Sequence, residues 1–436
     1  MAFRLKGAHV PHRKRTATLS AVRMSVPETV TLPMVMHIGA PATPVVKAGD
    51  AVYVGTLIAQ QNGVVSSPVH ASVSGTVSAV GEILLSTGKT APAVTITSDG
   101  QMTADPAITP PTVTDRDSLI AALKKSGIVG LGGAGFPTYV KLGADKPLDI
   151  EELVINGAEC EPYITSDSVT MVDRAEDIAF AIDTLTAHLN IGKVIIGIEK
   201  NKPQAIAAMK QLAKKNDKIQ VCVLPSLYPQ GGEKVLVYHT TGKVIPAGKL
   251  PIDVGCVVCN STTMATIGQF LKTGMPLVEK CITVDGSAVK EPKNVIAPIG
   301  TSLKDVFEFC GGFTAEPEKV LYGGPMMGIS VPDLDAPVLK NTNAVLALNA
   351  KDAKAPKTTA CIKCGSCANH CPMGINPVTI AKALRHEDWE TLEEAGTMLC
   401  MECGCCAFVC PAKRPIVQNN KLAKAALRAA NAKEAK

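Results

Sequence analysis

Two twelve-residue words, "CIKCGSCANHCP" (Cys361–Pro372) and "CMECGCCAFVCP" (Cys400–Pro411), hold nine of the chain's fifteen cysteines. Both fit C-x2-C-x2-C-x3-C-P. Three thiolates spaced two residues apart wrap one side of a cubane, and in two-cluster ferredoxins the fourth, followed by proline, reaches the other cluster. The spacing therefore assigns Cys361, Cys364, Cys367 and Cys410 to one 4Fe–4S cluster, and Cys400, Cys403, Cys406 and Cys371 to a second. Cys405 falls outside the register and reads as a free thiol beside the site. Zinc also takes four cysteines, but usually as two C-x2-C pairs rather than triplets with a Cys-Pro. A disulfide framework is not expected, because the basic start "MAFRLKGAHVPHRKRTATLS" lacks the apolar stretch of a secretory signal. The spacer between the words follows a helical pattern. An α-helical two-cluster ferredoxin domain is expected over 355–436, not the compact ββ type.

A chain of 436 residues, 46% apolar, has room for several buried cores. No stretch approaches eighteen uninterrupted apolar residues, so no transmembrane helix is expected. The net charge of +5 is spread along the chain, and one Trp, six Tyr and eight Phe offer little stacking surface. Nucleic acid is not an expected partner. The first residues read as a short ordered or docking arm. The Ala-rich tail "NNKLAKAALRAANAKEAK" reads as a solvated terminal helix.

The periodicity then divides the chain into a multidomain α/β protein. Residues 1–110 alternate apolar and polar residues between Gly-Asp and Asn-Gly turns. They resemble a biotinyl/lipoyl-like barrel sandwich, but the hairpin tip "VHASVSG" has no lysine to carry a swinging group, so a structural domain is expected. His37 and His70 there read as hydrogen-bonded turn or core residues. The Pro/Thr-rich "ADPAITPPTVTD" is a linker. Over 111–272 strands and helices alternate, which predicts a mostly parallel, Rossmann-like sheet. Its first helix, "DSLIAALKKSG", has Asp117 as expected N-cap and Gly127 as expected C-cap. Residues 273–347 read strand–turn–strand–helix, a β-grasp module whose expected role is packing between its neighbours. "LNAKDAKAPKTTA" is a polar linker into the cysteine words.

The second dense signal is "GIVGLGGAGFPTYVKL" (Gly127–Leu142). Closely spaced glycines let a backbone approach a ligand, and consecutive N–H groups form an anion-binding concavity suited to phosphate. Lys141 adds a point charge, while Phe136 and Tyr139 offer flat faces. The stretch is neither G-x-G-x-x-G nor a Walker A, and alone it fits a nucleotide site or an ordinary glycine-rich turn. Three polar words favour the former by falling at predicted loop positions of the α/β sheet. "NGAECEPYITSD" brings Glu159 and Glu161, "YPQGGEKVLVY" brings Glu233, and "CVVCNSTTMATI" brings Asn260, Ser261, Thr262 and Thr263. Carboxylates at strand ends commonly bind ribose hydroxyls. Cys160, Cys222, Cys256, Cys259, Cys281 and Cys310 read as buried or free thiols, with Cys256-x2-Cys259 open as a redox or metal pair.

The words "GGAGFPT..K", "NG.E.EP", "Y..G.E" and "N..T" resemble the flavin- and NADH-binding subunit of respiratory complex I. The order barrel sandwich, glycine-rich domain, β-grasp, two cysteine words is similar to the C subunit family of the Rnf (Rsx) electron-transport complexes, over nearly the full chain. The resemblance implies FMN, NAD(H) as substrate and two 4Fe–4S clusters. It implies a place on the cytoplasmic face of a membrane complex that couples ferredoxin–NAD+ electron transfer to Na+ or H+ translocation. The implied partners are other subunits of that complex, including an iron–sulfur subunit receiving electrons from ferredoxin. By position, Gly130, Gly132, Gly133, Gly135 and Lys141 would hold the FMN phosphate, with Asn156 and Asn260 on the flavin ring or ribityl chain. Phe136 would lie against the nicotinamide or adenine, and Glu161, Tyr228 and Glu233, with Gly231 beside them, would line the NADH pocket. The pattern departs at Leu131, where complex I has Arg, and at Ala158, Gly231-Gly232-Glu233 and Cys259. Two rivals stand beside this. A cobalamin-reductase-type flavoprotein shares the glycine loop and cysteine words but not the preceding barrel. An electron-relay subunit with a vestigial flavin site would not need Lys141, Asn156, Glu161 and Glu233.

Overall fold

The computed structural model describes residues 6–144 and 146–434. Alternation in the N-terminal part resolves into two facing antiparallel sheets. One has strands Thr29–Pro33, Thr90–Ser98, Gly75–Leu84 and Ala51–Val52 in that order, and the other Thr43–Pro44, Leu57–Gln60 and Val69–His70. Val30, Leu32, Ile58, Val77, Val94 and Ile96 fill the space between them. This is the expected barrel sandwich. Its lysine-free tip is not a free hairpin end: Ala71–Ser74 are buried, and the Ser72 hydroxyl donates to the Ile299 carbonyl of the next-but-one domain. A buried turn cannot swing.

The central domain carries four parallel strands in the order Ile219–Leu224, Lys193–Glu199, Glu152–Gly157, Cys256–Asn260. In Lys193–Glu199, Glu152–Gly157 and Cys256–Asn260 nearly continuous apolar runs match burial on both faces, while the edge strand Ile219–Leu224 leaves Gln220 and Val223 exposed. Helices Arg116–Lys125, Ala175–His188, Pro203–Lys215 and Ser261–Thr273 surround them. The first helix starts earlier than its sequence suggests. Asp115, not Asp117, is the N-cap: its carboxylate accepts from the Ser118 N–H while the Ser118 hydroxyl answers it. This is a reciprocal capping box, which a search for a single acidic cap passes over. Ser126 is the C-cap, and Gly127 follows it with φ +70°.

The third domain is a mixed sheet whose strands Lys293–Pro298, Glu279–Asp285, Ala344–Leu348 and Lys319–Tyr322 lie side by side. Helix Leu303–Phe309 packs Val306 and Phe307 into its core. The arm adds Val22–Arg23 in parallel beside Lys293–Pro298. Further upstream, Ala8 exchanges two main-chain hydrogen bonds with Tyr228 (2.8 and 3.1 Å). The arm is thus a docked strap. The C-terminal helix Ile416–Glu434 is also less free than expected. Ala423 and Leu427 are buried with Ile380, Ala383 and Leu392 of the spacer helices, because one apolar stripe of the tail completes that small core.

Helices Ala175–His188 and Ser261–Thr273 approach closely at Gly268, where an added Cβ would overlap the Asp177 carbonyl. Gly268→Ala should therefore destabilise the chain by about 1–3 kcal/mol through overpacking, read as a lowered Tm in thermal unfolding followed by circular dichroism.

Candidate cofactor and electron-transfer site

Ligands of parallel α/β sheets gather beyond the carboxyl ends of the strands. Here Asn156 and Asn260 are register partners on adjacent strands at that edge. The glycine loop lies over them. It closes on itself through Gly130 N–H to Phe136 O (2.8 Å) and Gly135 N–H to Gly130 O (3.0 Å). Gly133 and Gly135 have φ of +125° and +68°, conformations that side chains with a Cβ rarely take. A Cβ on Gly132 would lie 3.0 Å from the Asn260 amide nitrogen, so the glycine allows the loop to rest on that side chain. Around Gly133 a Cβ would meet nothing, and Gly132–Ala134 are exposed. The result is an open, N–H-rich cradle, a fit for an anionic group.

Lys141 reaches the same edge. Its ammonium donates to the Val258 carbonyl (3.0 Å) and to Glu233 (3.2 Å), which begins helix Glu233–Thr241. The Asn156 amide donates to Gly231 O (2.9 Å) and its oxygen accepts from Ala158 N–H (3.2 Å). The glycine loop, Lys141, Asn156, Gly231, Glu233 and Asn260 therefore form one connected surface, with Phe136 half-buried at its side.

The remaining expected residues have other settings. The Glu159 carboxylate caps helix Ser166–Asp173, accepting from Asp167 N–H (2.7 Å) and from Ser168. It is turned inward rather than toward a ribose. Thr262 donates to Asp167 (2.6 Å), as does the Asn260 amide (2.7 Å). Glu161 accepts from the main-chain N–H groups of Met326 (3.0 Å) and Met327 (2.8 Å) in the third domain. The Tyr228 hydroxyl donates to the Cys403 carbonyl (2.7 Å) and sits 3.5 Å from Glu161. Both lie at a junction of three domains instead of an open pocket wall. Burial pushes the Glu161 carboxyl up to about 7.

Several supporting residues have no mark in the sequence. Lys280 donates to Leu131 O (2.9 Å), Asn341 to Gly133 O (2.7 Å), and the Ile38 N–H to Gly135 O (2.9 Å). The loop is thus braced by the third and first domains. Burial pulls the Lys280 ammonium down to about 8. A lysine at alternating spacing in a strand has no signature separating it from a surface one. Asp167 lies inside one of the polar words but looks there like an ordinary helix-start acid.

The cysteine words fold as a repeated turn. In each, the residue before the second cysteine (Lys363, Glu402) and the glycine after it (Gly365, Gly404) are left-handed, and a short helix follows. Cys361, Cys364, Cys367 and Cys410 line one recess, and Cys371, Cys400, Cys403 and Cys406 line another. Among the described residues no three His, Cys, Asp or Glu side chains converge tightly enough for a single bare ion. Four thiols around each recess are the donor set that a 4Fe–4S cluster takes. The second recess abuts the central domain: a Cβ on Gly232 would overlap Met401, and the Cys405 thiol points at Tyr228 O (3.6 Å). All fifteen cysteines are free. Cys256 and Cys259, three apart on one strand, face opposite sides and form no redox pair.

A parallel-sheet domain with a glycine cradle, one four-thiol recess against it and a second four-thiol recess beyond has the parts of an electron-transfer protein. Residues 123–269 match the Nuo51 FMN-binding domain, residues 2–101 the RnfC barrel sandwich hybrid domain and residues 281–330 the SLBB domain. The chain is 43% identical, over 96% of its length and 95% of the relative's, to the C subunit of the Na+-translocating ferredoxin:NAD+ oxidoreductase complex of Acetobacterium woodii. It is 41% identical, over 98% and 94%, to the C subunit of the proton-translocating complex of Clostridium ljungdahlii. An NAD+-reducing [NiFe]-hydrogenase in the H2-reduced state shares the fold, with a TM-score of 0.52 at 20% identity over 73% of this chain and 64% of that one. The chain belongs to the C subunit family of ion-translocating, Rnf-type oxidoreductase complexes. No helix among the described residues is long and apolar enough to cross a membrane.

The Glu161 carboxyl titrates above its ordinary 4.5, so the folded chain holds this proton more tightly than the unfolded one. Its contribution is full below pH 4.5 and is lost as the pH rises through 7. The stability of wild type relative to Glu161→Gln should therefore fall by roughly 2–4 kcal/mol across that window, seen in denaturant unfolding at the two ends; a flat difference would mean that folding leaves this carboxyl's affinity for a proton unchanged.

Proposed function

We propose that this chain is the NAD(H)-reactive subunit of a ferredoxin:NAD+ oxidoreductase complex. It exchanges a hydride between NAD(H) and FMN and single electrons through two 4Fe–4S clusters, at the cytoplasmic face of a membrane where partner subunits move Na+ or H+. Relatives of almost equal identity belong to complexes named for different ions, so the choice of ion falls to other subunits. The observation that carries the reading is the contact of the second four-thiol recess with the loop Gly231–Glu233, which borders the glycine cradle.

Bound FMN supplies the conversion between two-electron hydride chemistry and one-electron transfer. The chain supplies position. Within the loop Gly130–Gly135, the N–H groups of Gly132, Gly133 and Ala134, with the Lys141 ammonium, would hold the phosphate, Lys141 giving up its present hydrogen bonds for that charge. Asn156 and Asn260, fixed by Gly231 O and Asp167, would face the ring or ribityl chain. Phe136 and Glu233 would border bound NAD(H). Tyr228, bonded to the Cys403 carbonyl, and Met401, packed against Gly232, would bridge the cradle side and the inner thiols. Cys361, Cys364, Cys367 and Cys410 would hold the outer cluster, and Cys371, Cys400, Cys403 and Cys406 the inner one. The N-terminal barrel speaks against a cobalamin-reductase-type protein, and the intact cradle against a relay without nucleotide chemistry.

Anaerobically purified protein should show flavin bands over broad cluster absorbance, and NADH should bleach both. Reconstituted protein that binds no FMN would end the proposal. Lys141→Ala should lower FMN affinity at least tenfold, as loss of a charge-assisted contact predicts, about 1.5–3 kcal/mol, with iron content unchanged. Cys371→Ala should remove the signal of the inner cluster only; loss of the outer one instead would refute the crossed ligand sets.

A further inference from the structure

Lys280 has more hydrogen-bonding capacity than the protein around it uses. The residue is 2% exposed, and among the described residues its one hydrogen bond is to the Leu131 carbonyl (2.9 Å). An ammonium carries three donors, so two N–H groups remain. Asp167, the carboxylate that acts on it electrostatically, has its oxygens engaged by Asn260 and Thr262.

Lys280 lines a cavity of about 250 Å³ where the arm strand Val22–Arg23, the helices Ser166–Asp173 and Ser261–Thr273 and the strand Glu279–Asp285 meet. A single water needs about 10–15 Å³ of such space, so the cavity has room for a small solute. Arg23 and Arg174 line it as well. So do Asp177 and Glu279, but both are already held, Glu279 by the Arg23 guanidinium and Asp177 by Arg174 (2.9 Å) and Lys272 (3.0 Å). Three lining cations against two lining carboxylates leave one positive charge in excess. Among the described residues Arg174 bonds through Nε and Nη2, and Arg23 through Nη1 and Nη2, which leaves Nη1 of the first and Nε of the second. An adjoining lobe of about 230 Å³ shares both arginines and adds the apolar Val54, Met275 and Leu277.

Water could accept from the spare N–H groups, but it would leave a buried charge uncompensated; an anion answers both needs. Cations from three separate segments suit an ion with several acceptor oxygens, which a guanidinium fork and an ammonium can share. We propose that this cavity binds a phosphate-type oxyanion, either free or as the end of a small phosphorylated solute whose body takes the apolar lobe. The site is separate from the glycine cradle and joined to it through the bond of Lys280 to Leu131. It stands on its own residues and does not require the proposed function.

The test uses holoprotein carrying FMN, so that the cradle is filled. It is titrated calorimetrically with sodium phosphate and, separately, with glycerol 3-phosphate, against chloride at equal ionic strength. Phosphate should bind at a single site, and Lys280→Met should weaken it about tenfold or more. Arg23→Gln, on the exposed arm strand, should weaken it about threefold and keeps the comparison if Lys280→Met does not fold. Tighter binding of glycerol 3-phosphate supports the site with the apolar lobe in use; equal binding supports it for the free ion. No heat beyond that of chloride overturns the proposal, as does phosphate binding that both variants leave unchanged. Phosphate that binds only the flavin-free chain also overturns it, because the ion would then belong to the cradle. Failure of FMN to load would count against the proposed function, and the two variants would still read the cavity.

Discussion

One buried ammonium organises the junction between the central domain, the third domain and the cysteine words. Lys14, in the N-terminal strap, donates to the carbonyls of Glu159 (2.9 Å), Glu161 (3.0 Å) and Ile164. The turn they belong to contains Glu159 and Tyr163 at φ +46° and +71°, backbone that non-glycine residues adopt only when held. Burial draws the Lys14 ammonium down to about 8, and convergent carbonyls offset that desolvation. Each end of the turn then has a task. Glu159 caps the helix that presents Asp167, and Asp167 orients Asn260 and Thr262 under the glycine loop. Glu161 ties the turn to Met326 and Met327, beside Tyr228 and its bond to Cys403.

The same logic explains why four domains are joined so closely. The first and third domains contribute the groups that stiffen the cradle: Ile38, Lys280 and Asn341 reach the loop through main-chain contacts. A second buried cation, Lys340, donates to Pro68 O (2.6 Å) and Gly127 O (2.8 Å), fastening barrel to central domain just ahead of that loop. The packing role expected of the β-grasp module is thus specific. It fixes carbonyls of the loop, while the N–H groups of Gly130, Leu131 and Gly135 are engaged and those of Gly132, Gly133 and Ala134 remain open to an anion.

Sequence legibility follows the range of the interactions involved. The cysteine words are legible because each triplet of thiols is written in local spacing, and the structure lines one recess with Cys361, Cys364, Cys367 and Cys410 and another with Cys371, Cys400, Cys403 and Cys406. The four parallel strands announce themselves as apolar runs between 3.6-period helices. The first cap of the central domain lies two residues ahead of its expected place because Ser118 completes the box with Asp115. The terminal helix reads as solvated because its stripe, Ala423 and Leu427, is short and its partner core lies some forty residues upstream. Glu159, Glu161 and Tyr228 stand out as site residues by their words, but their directions are not in those words. Each side chain turns toward a main-chain group from another segment.

The sequence by itself determined the covalent alphabet of the chemistry: eight thiols in two crossed sets, a loop with glycines where φ must be positive, and strands that can only lie in a parallel sheet. These are encoded within a dozen or so residues. Tertiary structure alone decided which thiol set meets the central domain and which faces outward, which carboxylates are open and which are engaged, and which lysines are buried. Those outcomes depend on contacts between segments a hundred or more residues apart, where shape and desolvation select among many polar groups that look alike along the chain.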